Sequence, residues 1–194
     1  MLKVGLTGGI GSGKTTIAKV FKQMGVAVYS SDDRAKSIMV NDVALRLELT
    51  NTFGAESYSN NQLNRVYIAR KVFSNSVELA KLNAIVHPAL KKDFVLWCSN
   101  QKGLYILKEA AILFESNAHV GLDKVILVSA AKEIKITRVL KRDSSTREEV
   151  ILRMDKQLSD EKKRVLSDFE IVNDEDESVI NQILEIHKSL SLLA

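Results

Sequence analysis

Little in this chain of 194 residues can be cross-linked or rigidly kinked, since it holds one cysteine and one proline. Cys98 alone cannot close an internal disulfide, and no Cys/His cluster has zinc-finger spacing, so a reducing compartment fits. Lying beside Trp97 in a helical pattern, Cys98 reads as core filler. Long apolar runs are also missing. The longest, such as Tyr105 to Leu107 and Val125 to Val128, are strand length, whereas a bilayer span needs roughly 20 apolar residues. The opening MLKVGLTGG has no charged start, extended apolar core or cleavage site, so export is not expected and a cytoplasmic location is. There is no internal repeat, low-complexity run or Pro/Gly-rich linker, and domain boundaries must be read from the order of elements.

What is present is ordinary globular composition, 45% hydrophobic and 27% charged, enough for one core with appendages. The net charge of +4 suits a nucleic acid and suits a polyphosphate ligand equally well.

Lys3 to Thr7 is a short apolar run that ends on a glycine cluster, the pattern of a buried strand. From Lys14 onward Ile17, Val20, Phe21 and Met24 recur at helical spacing until Gly25, and Val26 to Ser30 forms a second strand. Strand, glycine loop, helix and strand make a βαβ unit with parallel strands. From Asp32 to about Asn100 the pattern predicts several helices and no strand. Strands are expected again at Leu104 to Leu107, Lys124 to Val128 and Phe169 to Val172, with helices near Lys132 to Arg142 and at the C-terminal end. The basic segment between Arg142 and the last strand carries capping-box spacings at Ser145/Glu148 and Thr146/Glu149, consistent with a helical flap or with two ordinary surface helices.

Gly8-Gly9-Ile10-Gly11-Ser12-Gly13-Lys14-Thr15 satisfies G-x-x-x-x-G-K-[ST], and it lies between a predicted strand and a predicted helix, the context the motif requires. Glycines allow successive backbone N–H groups to turn onto phosphate oxygens, and the helix start adds partial positive charge. Lys14 supplies a point charge to the β and γ phosphates, and the Thr15 hydroxyl is a ligand for Mg2+. The ligand implied is ATP with Mg2+. The N/T-K-x-D base-reading string of GTPases is missing, as is the apolar run ending in Asp-Asp or Asp-Glu of mechanical ATPases. A small chain with a helical insertion after its second strand and a basic flap before its last has the layout of a nucleoside-monophosphate-like kinase.

Asp32 and Asp33 follow the second strand, at the sheet edge where doubly wound folds bind ligands. An aspartate there can orient a hydroxyl or take its proton; it can equally cap the next helix. Arg138 and Arg142 are four apart on one helix face, and Arg147 and Arg153 lie in the flap, placed for phosphate or for solvent. His87 precedes Pro88 within a helical pattern, and the pair reads as marking a helix break.

These residues together resemble the dephospho-coenzyme A kinases, nearly end to end. The resemblance is carried by LTGGIGSGKTT at Leu6 to Thr16, Asp32, Arg65 in LNR and LNAIVHPAL at Leu82 to Leu90. It continues in ILFE at Ile112 to Glu115, KRD at Lys141 to Asp143, TRE at Thr146 to Glu148, Gln157 and Asn173. It implies ATP-dependent phosphorylation of the ribose 3′-hydroxyl of dephospho-coenzyme A, the last step of coenzyme A synthesis. It also implies an α/β fold of the P-loop NTPase type, a three-layer sandwich with a short parallel sheet. The core would comprise residues 1–31, 101–140 and 166–194, the helical coenzyme A domain 32–100 and the lid 141–165. Carried over by position, Asp32 is the base or orienting group, with Lys14 and Arg142 also catalytic, and Arg65 and His87 face the acceptor. Gly8 to Thr16, including Ile10, Ser12 and Thr16, hold the nucleotide, with Arg138 and Arg147 on the lid side and Asn173 near the adenine. No nucleic acid or membrane partner is implied, and the chain is expected as a monomer or small homo-oligomer.

Two positions depart from the family pattern. Ser30-Ser31-Asp32 stands where Asp-Ala-Asp is usual, which keeps the second acid and loses the first, with Asp33 a candidate substitute. Ala111 replaces the usual proline before Ile112 to Glu115, which alters the loop's rigidity. The alternatives are a kinase of the same layout acting on a nucleotide or small metabolite, and a regulatory ATP-binding or nucleic-acid-binding module.

Overall fold

A five-stranded parallel sheet carries the glycine loop on its central strand in the computed structural model, which describes residues 1–72, 75–174 and 178–194. The chain opens with β1 (Leu2–Thr7), α1 (Lys14–Gln23) and β2 (Ala27–Ser30). It then passes through α2 (Ser31–Asn41), α3 (Val43–Phe53), β3 (Tyr58–Ser59), β4 (Gln62–Leu63), α4 (Arg65–Val72) and α5 (Ser76–Ser99). The remaining elements are β5 (Tyr105–Glu109), β6 (Lys124–Ser129), α6 (Lys132–Arg142), α7 (Arg147–Met154), α8 (Asp160–Val165), β7 (Phe169–Val172) and α9 (Val179–Leu193). Two compact units result, residues 1–30 with 101–194, and residues 31–100.

In the first unit the strand order is β2-β5-β1-β6-β7, so β1 is flanked by β5 and β6. Parallel strands need cover on both faces, which is why β1, β5 and β6 read as apolar runs rather than alternating ones. One face packs Val4, Leu6, Leu107, Ile126 and Ile171 against Ile17 and Phe21 of α1 and Ile183 and Leu190 of α9. Ile17, Ala18 and Phe21 form the buried stripe of α1, and Phe21 is wholly buried. Burying one such side chain is worth about 1.5–3 kcal/mol.

Strand β5 runs two residues beyond the expected Leu107. Lys108 and Glu109 are polar, yet both are buried because both are satisfied: the Lys108 ammonium donates to the Ala118 carbonyl at 3.2 Å, and Glu109 accepts from the Ser30 hydroxyl. An apolar-run criterion stops where the hydrophobic residues stop, not where the ladder does.

The second unit gathers Leu45, Leu49, Phe53, Tyr67, Ile68 and Ile85 into its own core. Two expectations fail here. No strand was expected, but β3 and β4 form an antiparallel hairpin. Its turn, Asn60-Asn61, has both residues at left-handed φ (49° and 61°), the conformation a two-residue hairpin turn favours and asparagine tolerates. Strands of two residues are too short to alternate visibly. Nor does Pro88 mark a break, since α5 runs through it from Ser76 to Ser99. Proline removes the bond to the carbonyl four residues earlier, and here both Pro88 and Ala84 are exposed, so water can serve that carbonyl. The helix starts cleanly on Asn75, whose side-chain oxygen accepts from Val77 N and Glu78 N.

In the flap segment the capping box falls at Thr146/Glu149, with Thr146 Oγ1 accepting from Glu149 N and Glu149 Oε2 from Thr146 N. The Ser145/Glu148 spacing is not the one used.

Candidate active site

The loop from Gly8 to Gly13 leaves β1 at the sheet's carboxyl edge and delivers the chain into α1. Its shape is fixed by close approach. Gly11 sits at φ 81°, and a Cβ there would collide with the backbone of Lys135. Gly13, the N-cap of α1 at φ 93°, leaves no room for a Cβ beside the Asn173 amide. That amide donates to the Ser12 carbonyl at 2.8 Å, while Asn173 N donates to Ser129 O at 2.9 Å. Asn173 therefore ties the ends of β6 and β7 to the loop and holds the turn from behind.

Lys14 is 9% exposed, and its ammonium donates to the Gly9 carbonyl at 3.2 Å. The charge is thus folded back over the loop. Thr15 and Thr16 are exposed on the first turn of α1, where the leading N–H groups of a helix have no intrahelical partner. Ile10 N donates to Gln157 Oε1 at 2.9 Å, so a neutral carbonyl oxygen sits on one of the loop's inward amides.

Gln157 belongs to the segment that carries α7 and α8, and buried charge docks that segment. Lys135 of α6 pairs with Asp160 at 2.7 Å, with side chains only 8% and 10% exposed. Lys163, fully buried, donates to the Ala111 carbonyl and to Glu115, each at 3.0 Å, and Glu115 also accepts from Leu158 N at 2.8 Å. Burial pushes the Glu115 carboxyl up. The N–H groups of Glu115 and Leu158 and the Lys163 ammonium outweigh it and hold the carboxyl below its ordinary range. Glu115 of the ILFE run is therefore an anchor for the segment. Between segment and sheet edge lies a cleft of about 820 Å3, lined among others by Gly9, Ala130, Lys132, Lys135 and Gln157. Its volume suits a nucleotide-sized ligand.

The arginines named from the sequence are not gathered on the loop. Arg142 makes a two-toothed bond to Asp143 at 2.8 and 3.0 Å, and Arg153 reaches the same carboxylate at 3.6 Å. Arg147 sits on Glu133 at 2.7 and 2.9 Å. Hydrogen bonds from these guanidinium groups hold the Asp143 and Glu133 carboxyls below their ordinary range. Arg138 is half-buried on α6.

Asp32, Arg65 and His87 belong to the second unit. Asp32 and Asp33 are exposed in the first turn of α2, and Asp33 accepts from Lys36 at 3.0 Å. Arg65 is exposed at the start of α4, and His87 is half-buried in the middle of α5.

Sequence reasoning missed Glu109, the buried carboxylate that ends β5, together with the Ser30 hydroxyl that donates to it at 3.3 Å. The signal was there: an acid directly after an apolar strand, beside the strand that feeds the loop. It also missed the Lys135–Asp160 pair and the buried Lys163. Among the described residues no three His, Cys, Asp or Glu side chains converge as a metal cage.

Residues 2–178 match the family model described as dephospho-CoA kinase. Among curated proteins, the dephospho-CoA kinase of Bacteroides fragilis is 37% identical over 186 residues, covering 95% of this chain and 91% of that one. That of Chlorobium chlorochromatii is 42% identical over 180 residues, covering 89% and 85%. Among solved structures, a Thermus thermophilus protein superposes with TM-score 0.84 at 30% identity, covering 97% of this chain and 95% of that one. The P-loop kinase fold read from the sequence is the fold observed.

Proposed function

Because the chain belongs to the dephospho-CoA kinase family and catalyses ATP-dependent phosphorylation of dephospho-CoA, we propose that its first unit holds ATP with Mg2+ and its second supplies the acceptor side. In this reading residues 32–100 are the acceptor domain and 141–165 a lid. The supporting observation is the preformed loop, with Gly11 and Gly13 locked by close approach and the Lys14 ammonium already folded over it.

The groups suited to Mg2+ are oxygens, as a hard cation requires: the exposed Thr15 hydroxyl on α1 and the Ser30 and Glu109 oxygens at the sheet edge. Without an all-protein cage among the described residues, the ion would come with the nucleotide and keep part of its water shell. When bound it neutralises phosphate charge that builds up as the phosphoryl group moves.

In the transfer itself the 3′-hydroxyl oxygen forms a bond to the γ-phosphorus as the bond from that phosphorus to the β–γ bridging oxygen breaks. The hydroxyl proton passes to the Asp32 carboxylate, and ADP leaves. Lys14 and the loop amides of Gly8 to Thr16 stabilise the charge on the transferring group, the task on which phosphoryl transfer mainly depends. Arg142, Arg147 and Arg138 are the lid-side cations, and the first two must exchange their present carboxylate partners for phosphate oxygens. Water is kept from the γ-phosphate by closure of that segment. Arg65 and His87 position the acceptor, and Asn173 supports the loop beside the adenine end. A cytoplasmic, monomeric or small homo-oligomeric enzyme with no nucleic-acid partner fits these roles.

The test is product mass. Incubated with ATP, Mg2+ and dephospho-CoA, the protein should convert the acceptor to a species heavier by one phosphoryl group. Folded protein that yields none, but phosphorylates a nucleotide or another metabolite, would reassign the acceptor.

A further inference from the structure

The peptide unit that joins Gly9 to Ile10 is gripped from both sides. Its carbonyl, Gly9 O, accepts from the Lys14 ammonium at 3.2 Å. Its N–H, on Ile10, donates to Gln157 Oε1 at 2.9 Å. In a planar trans peptide these two groups point in opposite directions, so the lysine and the glutamine hold one plane from opposite edges. Turning that plane over needs compensating changes in ψ of residue 9 and φ of residue 10, and glycine leaves the first nearly unrestricted. A free plane could therefore carry the Gly9 carbonyl away from Lys14. The bond from Ile10 N to Gln157 opposes that turn. An engaged N–H also polarises its own carbonyl, which strengthens the bond that the carbonyl accepts from the ammonium.

Gln157 is itself held in place. Its N–H donates to the Met154 carbonyl at 2.9 Å, and the next residue, Leu158, donates its N–H to Glu115 Oε1 at 2.8 Å. The Ile10 side chain packs with Ile151 and Met154 against Ile136, Val139 and Val150, which sets the other end of the contact. A Cβ on Gly9 would stand 3.7 Å from Gln157 Oε1 and 3.5 Å from both Lys135 Nζ and Asp160 Oδ1, so the tip of the loop lies against this polar edge. We propose that Gln157 is a positioning residue for Lys14. By fixing the Gly9–Ile10 peptide it holds the carbonyl on which the Lys14 ammonium rests, and so keeps that charge over the loop before the nucleotide arrives. Gln157 acts through the peptide plane and needs no contact with the nucleotide.

The proposal rests on the reading of Lys14 as the cation on the β and γ phosphates, and a double-mutant cycle separates the two. Binding of a non-hydrolysable ATP analogue with Mg2+ to the full-length protein is measured by titration calorimetry. Gln157→Met, which keeps the side-chain length and removes the acceptor, should weaken the analogue about fivefold, the scale of one hydrogen bond. In a Lys14→Met background the same change should have almost no further effect, because residues that act as one unit are not additive. A fivefold loss in both backgrounds, or unchanged or tighter binding in Gln157→Met alone, overturns the proposal and leaves Lys14 where it stands. Wild-type affinity in Lys14→Met removes Lys14 from the phosphates and this inference with it. Should Gln157→Met not fold by circular dichroism, Gln157→Asn, too short for the contact, takes its place in the cycle. Should Lys14→Met bind too weakly to titrate, turnover of the Gln157 variant decides. The KM for ATP should then rise about fivefold with the KM for dephospho-CoA unchanged, and an unchanged KM for ATP, or an equal rise in both, overturns the proposal.

Discussion

The glycine loop and the 141–165 segment lie against one cleft, but they are held by different physics. The loop is fixed by close approach at its glycines and by hydrogen bonds: the Lys135 backbone against Gly11, the Asn173 amide against Gly13 and on the Ser12 carbonyl, Lys14 on Gly9. The segment has a buried anchor in Glu115 and Lys163, while its exposed arginines rest on carboxylates at the surface, Arg147 on exposed Glu133 and Arg142 on half-buried Asp143. Exposed ion pairs are worth little, about 0–1 kcal/mol, and exchange readily. A phosphate cradle has to be in place before the ligand arrives, whereas a segment acting as the proposed lid must release its own contacts to take up new ones. The difference between rigid and exchangeable interactions is what the proposed division of labour requires.

The comparison breaks most visibly at Lys14. Lys14→Ala should lower kcat by about a thousandfold while the fold, read by circular dichroism, is kept. A loss confined to stability would mean that the ammonium only props the loop.

Next in size is the anchor. Glu115→Gln leaves the fully buried Lys163 ammonium without its anionic partner, and denaturant titration near neutral pH should show a loss of about 3 kcal/mol. The pH dependence has a definite sign. The folded Glu115 carboxyl lies below its unfolded value of 4.5, so its contribution is complete above that value and is lost as pH falls through the folded one. Glu115→Gln should therefore flatten the acid side of the stability curve, and an unchanged acid limb would remove Glu115 from the anchor.

Asn173→Ala should cost about 1 kcal/mol, one hydrogen bond to a loop carbonyl, seen as a roughly fivefold rise in the KM for ATP. The smallest effect is expected at Glu133→Ala, which frees Arg147. Stability should stay unchanged, as expected of an exposed surface substitution, while the KM for ATP stays level or falls. A clear rise would mean that the pair with Glu133 holds the segment in its working position.

How far the sequence could be read follows from the same contrast. The cradle was legible because its chemistry is local: eight consecutive residues between an apolar strand and an amphipathic helix specify the loop without reference to the rest. The sheet and the helices of both units were legible by period. Glu109 was not, because a charged residue ends an apolar run on paper, and only the Ser30 hydroxyl on the neighbouring strand reveals why the ladder continues through it. The pairing of each arginine was likewise invisible. Residue spacing showed that Arg138 and Arg142 share a helix face, but not that Asp143 would claim Arg142 or that Glu133 would claim Arg147. Pro88 misled for a related reason, since spacing does not show that it and Ala84 face solvent, where water can serve the carbonyl left without its helical partner.

In the proposed mechanism the donor side rests on Lys14, in the first unit, and the acceptor side on Asp32, in the second. The most direct measurement of that split is the parallel determination of kcat and of the ATP dissociation constant for Asp32→Asn. A fall in kcat of about a hundredfold or more, with ATP bound as tightly as by the wild type, is the predicted result. Turnover near the wild-type rate would contradict it.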